Sequence, residues 1–152
     1  MRKRKTIQSP LGSLTLVEED GALVQLSFDG YTVLESEEVD SPLLREAERQ
    51  VASYFAGQLQ VFSLPLCTRG TPFQEKVWCA LQKIPYGETR TYGELAAMIG
   101  QPTAARAVGG ANHRNPLAII IPCHRVVAAH GGLGGYGGGL DKKQWLLALE
   151  EK

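Results

Sequence analysis

Along the first third of the chain, apolar positions come in short β-prone runs: Thr6 to Ser9, Leu14 to Val17 and Leu23 to Phe28. Runs of that length and residue type predict strands. Asp20-Gly21 separates the second run from the third, and that dipeptide favours a hairpin turn. An acidic loop, Glu35 to Asp40, follows. The period then changes. Leu44, Ala47, Val51, Tyr54 and Phe55 recur at helical spacing behind Ser41 as N-cap and Pro42 at the first helical position, and Gly57 supplies the stop. Val61 to Leu66 reads as a strand again.

The character shifts at Arg69-Gly70. Thr71-Pro72 opens a helix with Phe73, Val77, Leu81 and Ile84 along one side, and Pro85-Tyr86-Gly87 ends it. Thr91-Tyr92-Gly93-Glu94 is a capping box, in which Glu94 reaches back to the helix start. That helix ends at Gly100. Pro102-Thr103 begins another, running to about Asn112. Two short helices around a tight Gly-containing turn predict a helix-turn-helix. A last helix spans Asp141 to about Glu150. The pattern divides into two domains, 1–68 and 69–152, of α+β class: strands and one helix first, then mostly helices.

Composition adds little, because 152 residues with 43% apolar and 21% charged positions describe an ordinary globular chain. No apolar run reaches the roughly 20 residues that span a bilayer. The basic start, Met1 to Pro10, lacks the apolar stretch of a secretory signal. A cytoplasmic protein with no membrane association is the expectation. Net charge is zero, but residues 1–68 carry 6 Lys/Arg against 10 Asp/Glu and residues 69–152 carry 10 against 6. One half can therefore present a positive face to a polyanion.

Three cysteines, Cys67, Cys79 and Cys123, are an odd count without C-x-x-C spacing, which argues against a disulfide framework or zinc ribbon. Cys123 stands out by its setting. Ile119 to Ile121 read as a buried apolar strand, Pro122 halts it, and Cys123 follows beside His124 and Arg125. Cationic neighbours lower a thiol's pKa, and a thiolate attacks saturated carbon without help from a metal. Taken by itself, a Cys-His pair more often marks a small buried hydrophobe than a nucleophile.

The stretch Ile121-Pro122-Cys123-His124-Arg125-Val126 resembles the active-site motif of the O6-alkylguanine-DNA alkyltransferases. The similarity extends from about Gly70 to Glu150. It takes in Thr71-Pro72-Phe73-Gln74, Ile84-Pro85-Tyr86-Gly87-Glu88, Arg106-Ala107-Val108-Gly109 and Asn115-Pro116. Residues 1–68 resemble that family's more variable amino-terminal domain. The resemblance implies a small RNase-H-like antiparallel sheet first, then a mostly helical domain with a winged-helix-like helix-turn-helix. It also implies DNA repair by single-turnover transfer of an alkyl group from O6-alkylguanine in double-stranded DNA. The protein would act as a monomer without cofactor or metal, with cooperative binding and O4-alkylthymine repair left open. The first competing reading is an alkyl-DNA damage sensor of the alkyltransferase-like type, which Cys123 argues against; a Cys-His hydrolase and a plain helix-turn-helix regulator are the others.

The resemblance also implies roles. Cys123 would be the acceptor, His124 its base through a water, and Glu150 the group that orients His124, in the logic of a catalytic triad. Asn115 would brace the turn before the active-site segment. Tyr92 would donate to the flipped guanine. Arg106 would fill the vacated stack from a helix lying in the minor groove, with Thr91, Ala105 and Arg125 among the DNA contacts. Carbonyls of Cys123 and Val126 would accept from the guanine amino group. The run Gly131 to Gly139 would cover the base, with Tyr136, Gly137 and Gly138 against it. Many family members have Ser at the position of Gly137, so a hydroxyl contact is lost here while an amide contact survives.

Overall fold

The computed structural model describes residues 1–129 and 132–152, in two compact units, Met1–Thr68 and Arg69–Lys152. Gly131, the first glycine of the lid run, lies outside the described residues. Among those described, no helix is long and apolar enough to cross a membrane.

The first unit is a sheet with one helix against it. Strands β1 (Arg2–Ser9), β2 (Gly12–Glu19) and β3 (Ala22–Phe28) pair antiparallel, in register from Arg2↔Glu19 to Ser9↔Gly12 and from Leu14↔Phe28 to Glu19↔Ala22. The β2–β3 turn places Asp20 at φ 50° and Gly21 at φ 80°. Two successive left-handed residues match the right-handed strand twist, and Asp and Gly tolerate that conformation best. Inside the acidic loop, Glu37–Glu38 form a short strand, β4, parallel to β1 with Lys3↔Glu37 and Arg4↔Glu38 paired. Arg4 Nη1 donates to Ser36 O just before β4, and the sheet runs β3-β2-β1-β4, mixed at one margin.

Helix α1 (Pro42–Phe55) starts as the pattern predicts. The Ser41 hydroxyl accepts from Leu44 N at 3.1 Å, and Gly57 follows the helix at φ 75°. Its apolar stripe, Leu44, Ala47, Val51 and Tyr54, is buried with Leu14, Leu16, Leu23 and Leu26 of the sheet. The strand expected over Val61 to Leu66 does not form. Val61 is 76% exposed, and only Leu66 bridges to Leu23, through Leu23 N to Pro65 O (2.8 Å) and Cys67 N to Leu23 O (2.9 Å). The Gln50 side chain accepts from Ser63 N, and Pro65 has no N–H to give a ladder.

The second unit is mostly helical. α2 (Pro72–Leu81) and α3 (Tyr92–Met98) both begin with reciprocal capping boxes, Thr71 with Gln74 and Thr91 with Glu94. α2 stops at Leu81, one turn before Pro85. α4 (Ala105–His113) starts later than Pro102-Thr103 suggested, because Ala104 N bonds Gln101 O (2.9 Å) and closes a separate turn first. α2, α3 and α4 pack together, and the Trp78 indole N–H donates to Ala111 O at 2.9 Å, tying α2 to α4. β5 (Arg90–Thr91) pairs parallel with β6 (Val126–Val127), which joins the start of α3 to the segment after Cys123. α5 (Leu140–Glu150) closes the unit.

Candidate active site

Ile119 to Ile121 are buried, as their composition requires, but they form a compact turn and not a strand. Ile120 N bonds Ala118 O, Ile121 N bonds Leu117 O, and Cys123 N bonds Ile121 O, at 2.8–2.9 Å. Burial alone could not separate these outcomes. The side chain of Asn115 decides: its Oδ1 accepts from Leu117 N (3.0 Å) and its Nδ2 donates to Ile121 O (2.8 Å). Ile119 is held at φ 72°, which a β-branched residue adopts only when its surroundings impose it. Cys123 then opens a 3₁₀ turn through Arg125 and is 5% exposed.

Around Cys123, burial outweighs neighbouring charge. Desolvation pushes the thiol pKa up, and a hydrogen bond from Asn115 and the Lys143 ammonium pull it only partly back. The expected cationic activation is thus corrected. His124 is a neutral imidazole inside the unit, and Arg125 faces away toward Glu150. Burial likewise pushes His124 below its usual range, against the opposing pull of Glu150. The site at rest therefore holds a protonated thiol beside a neutral imidazole.

Glu150, at the end of α5, organises this centre. Its Oε2 lies 2.7 Å from His124 Nε2, its Oε1 2.8 Å from Arg125 Nε, and Arg125 Nη2 reaches Oε2 at 3.1 Å. Gly87 N adds a weak bond at 3.4 Å. A carboxylate only accepts, so Nε2 carries the imidazole proton and Nδ1 is the basic nitrogen. Arg125 also donates to Ile84 O (2.7 Å) and stacks on Tyr86. Its guanidinium is spent inside the fold, so the expectation that Arg125 contacts DNA is not what the structure offers.

Next to this centre lies a cavity of about 220 Å³ lined by Tyr92, Gly109, Asn112, His113, Gly135, Tyr136 and Gly137. Tyr92, at the start of α3, donates from its hydroxyl to Gly135 O at 3.5 Å, and burial raises its pKa. Gly134 sits at φ 72°, and a Cβ there would meet the Tyr92 hydroxyl at 2.8 Å. Glycine at this point lets the loop approach the ring closely. Lys143 of α5 is fully buried, and its ammonium donates to Val126 O (2.5 Å) and Gly135 O (3.0 Å). It ties the segment after Cys123 to the loop over the cavity, at the expense of a pKa pushed down to about 8 by burial.

Family models match both units: "6-O-methylguanine DNA methyltransferase, ribonuclease-like domain" over residues 3–68 and "6-O-methylguanine DNA methyltransferase, DNA binding domain" over residues 72–152. The chain belongs to the 6-O-methylguanine DNA methyltransferase family. A methylated-DNA–protein-cysteine methyltransferase of Mycolicibacterium paratuberculosis is 52% identical over all of this chain and 94% of its own. The constitutive methylated-DNA–protein-cysteine methyltransferase of Bacillus subtilis is 46% identical over 95% and 93%. The crystal structure of Mycobacterium tuberculosis OGT in complex with DNA superimposes with a TM-score of 0.93 at 50% identity, covering 98% of this chain and 92% of that one.

Within the methyltransferase site, the remaining expected residues fall in three places. Arg106 and Ala105 open α4, where Arg106 is exposed and has no hydrogen bond or ion pair among the described residues. Thr91 caps α3 with its hydroxyl. Val126, Tyr136, Gly137 and Gly138 line or adjoin the loop, and a Cβ on Gly137 would meet His113 O only at 3.8 Å, an ordinary contact. Lys143 was not among the expected residues. The signal was present in α5: Lys143, Leu146 and Glu150 follow one another at i, i+3 and i+7, and all three are buried. Two charged residues on the stripe of a core-facing leucine mark buried polar work.

Proposed function

We propose that this chain repairs alkylated DNA by transferring the alkyl group of O6-alkylguanine to Cys123. It would act as a monomer, once per molecule. The observation that carries the reading is buried Cys123 followed in the chain by buried His124, whose Nε2 lies 2.7 Å from Glu150 Oε2. A thiol kept neutral needs a base at the moment of reaction, and His124 Nδ1 is that base, reached through a water. The sulfur attacks the alkyl carbon, an S–C bond forms, and the C–O6 bond breaks with its electron pair leaving on guanine. The proton taken from the thiol is balanced by one delivered to guanine, and the Tyr92 hydroxyl at the cavity wall is the donor in this reading.

Residues 1–68 and 69–152 act as separate domains in this proposal, the second holding DNA and acceptor. A guanine stacked in a duplex cannot bring its O6 to a buried sulfur, so the base enters the 220 Å³ cavity extruded. Arg106, exposed on a helix otherwise rich in Ala and Gly, takes the place it leaves. Asn115 holds the Cys123 turn in shape. The thioether product resists reducing agents, so the protein is consumed.

Incubation with a duplex carrying labelled O6-methylguanine, followed by digestion and mass spectrometry, tests this. Label on the Cys123 peptide, at no more than one per molecule, is the expected result. Release of label over many turnovers would point to a hydrolase, and tight binding without transfer to a damage sensor. Cys123→Ala should abolish transfer while DNA affinity persists.

A further inference from the structure

The cavity beside Cys123 is poor in side chains that can meet a ligand. Gly109, Gly135 and Gly137 of its lining have none. The Asn112 amide nitrogen is committed to the Cys123 carbonyl at 3.3 Å, and the Asn112 Oδ1 and the Tyr136 hydroxyl have almost no accessible surface. Tyr92 and His113 remain. The proposed reaction uses Tyr92 and leaves His113 without a task. His113 ends α4, is exposed, and its side chain makes no hydrogen bond or ion pair among the described residues. Its direction is readable from the glycine opposite. A Cβ on Gly137 would have His113 O at 3.8 Å and His113 Cε1 at 4.0 Å, with no other ring atom as near. Cε1 is the carbon between the two ring nitrogens, so the polar edge of the imidazole is turned toward the gap at Gly137. No partner fixes its tautomer, so either nitrogen can carry the proton that a ligand requires.

We infer that His113 is a second hydrogen-bond donor to the leaving guanine, and so a further catalytic residue. The inference rests on the proposed transfer to Cys123. An O6-alkylguanine carries acceptors at O6, N1, N3 and N7, and only its 2-amino group donates. When the C–O6 bond breaks, the electron pair left on the base adds negative charge to those acceptors. A donor already in place grows stronger at that moment, and such a group speeds the step more than it tightens binding. Tyr92 delivers the proton. His113 keeps its own and lends only the hydrogen bond, so the proton balance of the transfer is unchanged. Glycine at position 137 gives the ligand access, because the volume a side chain would take there is left open before the ring edge.

Single-turnover transfer from duplex O6-methylguanine, followed over a range of protein concentrations, separates the maximal rate from half-saturation. His113→Ala should lower the maximal rate by about tenfold, the worth of one hydrogen bond to a charged acceptor, with half-saturation little changed. His113→Gln keeps a donor and should recover most of the rate. Gly137 is not in the left-handed region, and a Cβ there meets only ordinary contacts, so Gly137→Ser places a hydroxyl at the same gap. In the His113→Ala background that hydroxyl should restore much of the rate. In the wild-type background it should add little, since both groups serve one place. A rise in half-saturation with an unchanged maximal rate would make His113 a contact to the DNA backbone. Equal losses in the Ala, Gln and double variants would deny it a donor's role, and either result overturns the inference. Absence of transfer by the wild-type protein would instead defeat the repair reading on which it rests.

Discussion

At the scale of single residues, the site depends on charges whose values are set by burial. Lys143 is the cation that partly offsets the desolvation of the Cys123 thiol. Removing it takes away a favourable interaction with the thiolate, so Lys143→Met should move the apparent pKa of Cys123 upward. Iodoacetamide labelling of the Cys123 peptide between pH 6 and 10 would show this, and an unchanged profile would remove Lys143 from the account. His124 gives a second prediction. Its pKa is lowered by burial, so below its ordinary 6.5 the unfolded chain binds a proton that the folded chain does not. Stability therefore falls as pH drops below that value. Urea midpoints should decrease from pH 7 toward pH 5, and less so in His124→Gln.

At the scale of elements, three supports hold the site, and each answers to a separate test. Glu150 at the end of α5 neutralises Arg125 and orients His124. Glu150→Gln leaves the Arg125 charge buried without its carboxylate, and should cost about 3–5 kcal/mol in urea unfolding besides slowing transfer. The loop over the cavity needs glycine at position 134. Gly134→Ala adds strain at φ 72° and a contact at 2.8 Å with the Tyr92 hydroxyl, so transfer should slow while the urea midpoint of the helical core changes little. For α4, Arg106→Ala should slow repair of duplex DNA more than reaction with the free modified base. Equal losses on both would count against its role in extrusion.

At the scale of the whole molecule, charge is distributed and not merely summed. Residues 69–152 carry 10 Lys/Arg, but Arg125 and Lys143 are buried, as is Glu150, leaving eight cations against five carboxylates on the surface of that unit. That modest excess suits phosphate contacts that position the protein without reading sequence. Affinity for undamaged duplex should fall with rising salt along a shallow logarithmic slope, as expected for a few neutralised phosphates. A slope near zero in a filter-binding or anisotropy titration would argue against electrostatic binding.

Much of this was legible in the chain alone. The Asp20-Gly21 hairpin, the Ser41-Pro42 helix start and the Thr91–Glu94 capping box are local chemistry, in which neighbouring backbone groups are satisfied by residues three or four positions away. The motif around Cys123 was legible as a family resemblance, and it was that resemblance which named the candidates Tyr92, Arg106, Asn115, His124 and Glu150. Tertiary structure decided everything that depends on distant partners. Ile119–Ile121 became a turn because Asn115 claims its backbone groups, and Glu37–Glu38 became an edge strand by backbone pairing with distant β1. Arg125 turned inward to Glu150, and Lys143 became a tie between two loops. The protonation state of Cys123 belongs to the same class. Sequence shows which charges are adjacent along the chain, but only the fold sets how much water is removed from a thiol, and here burial outweighs adjacency.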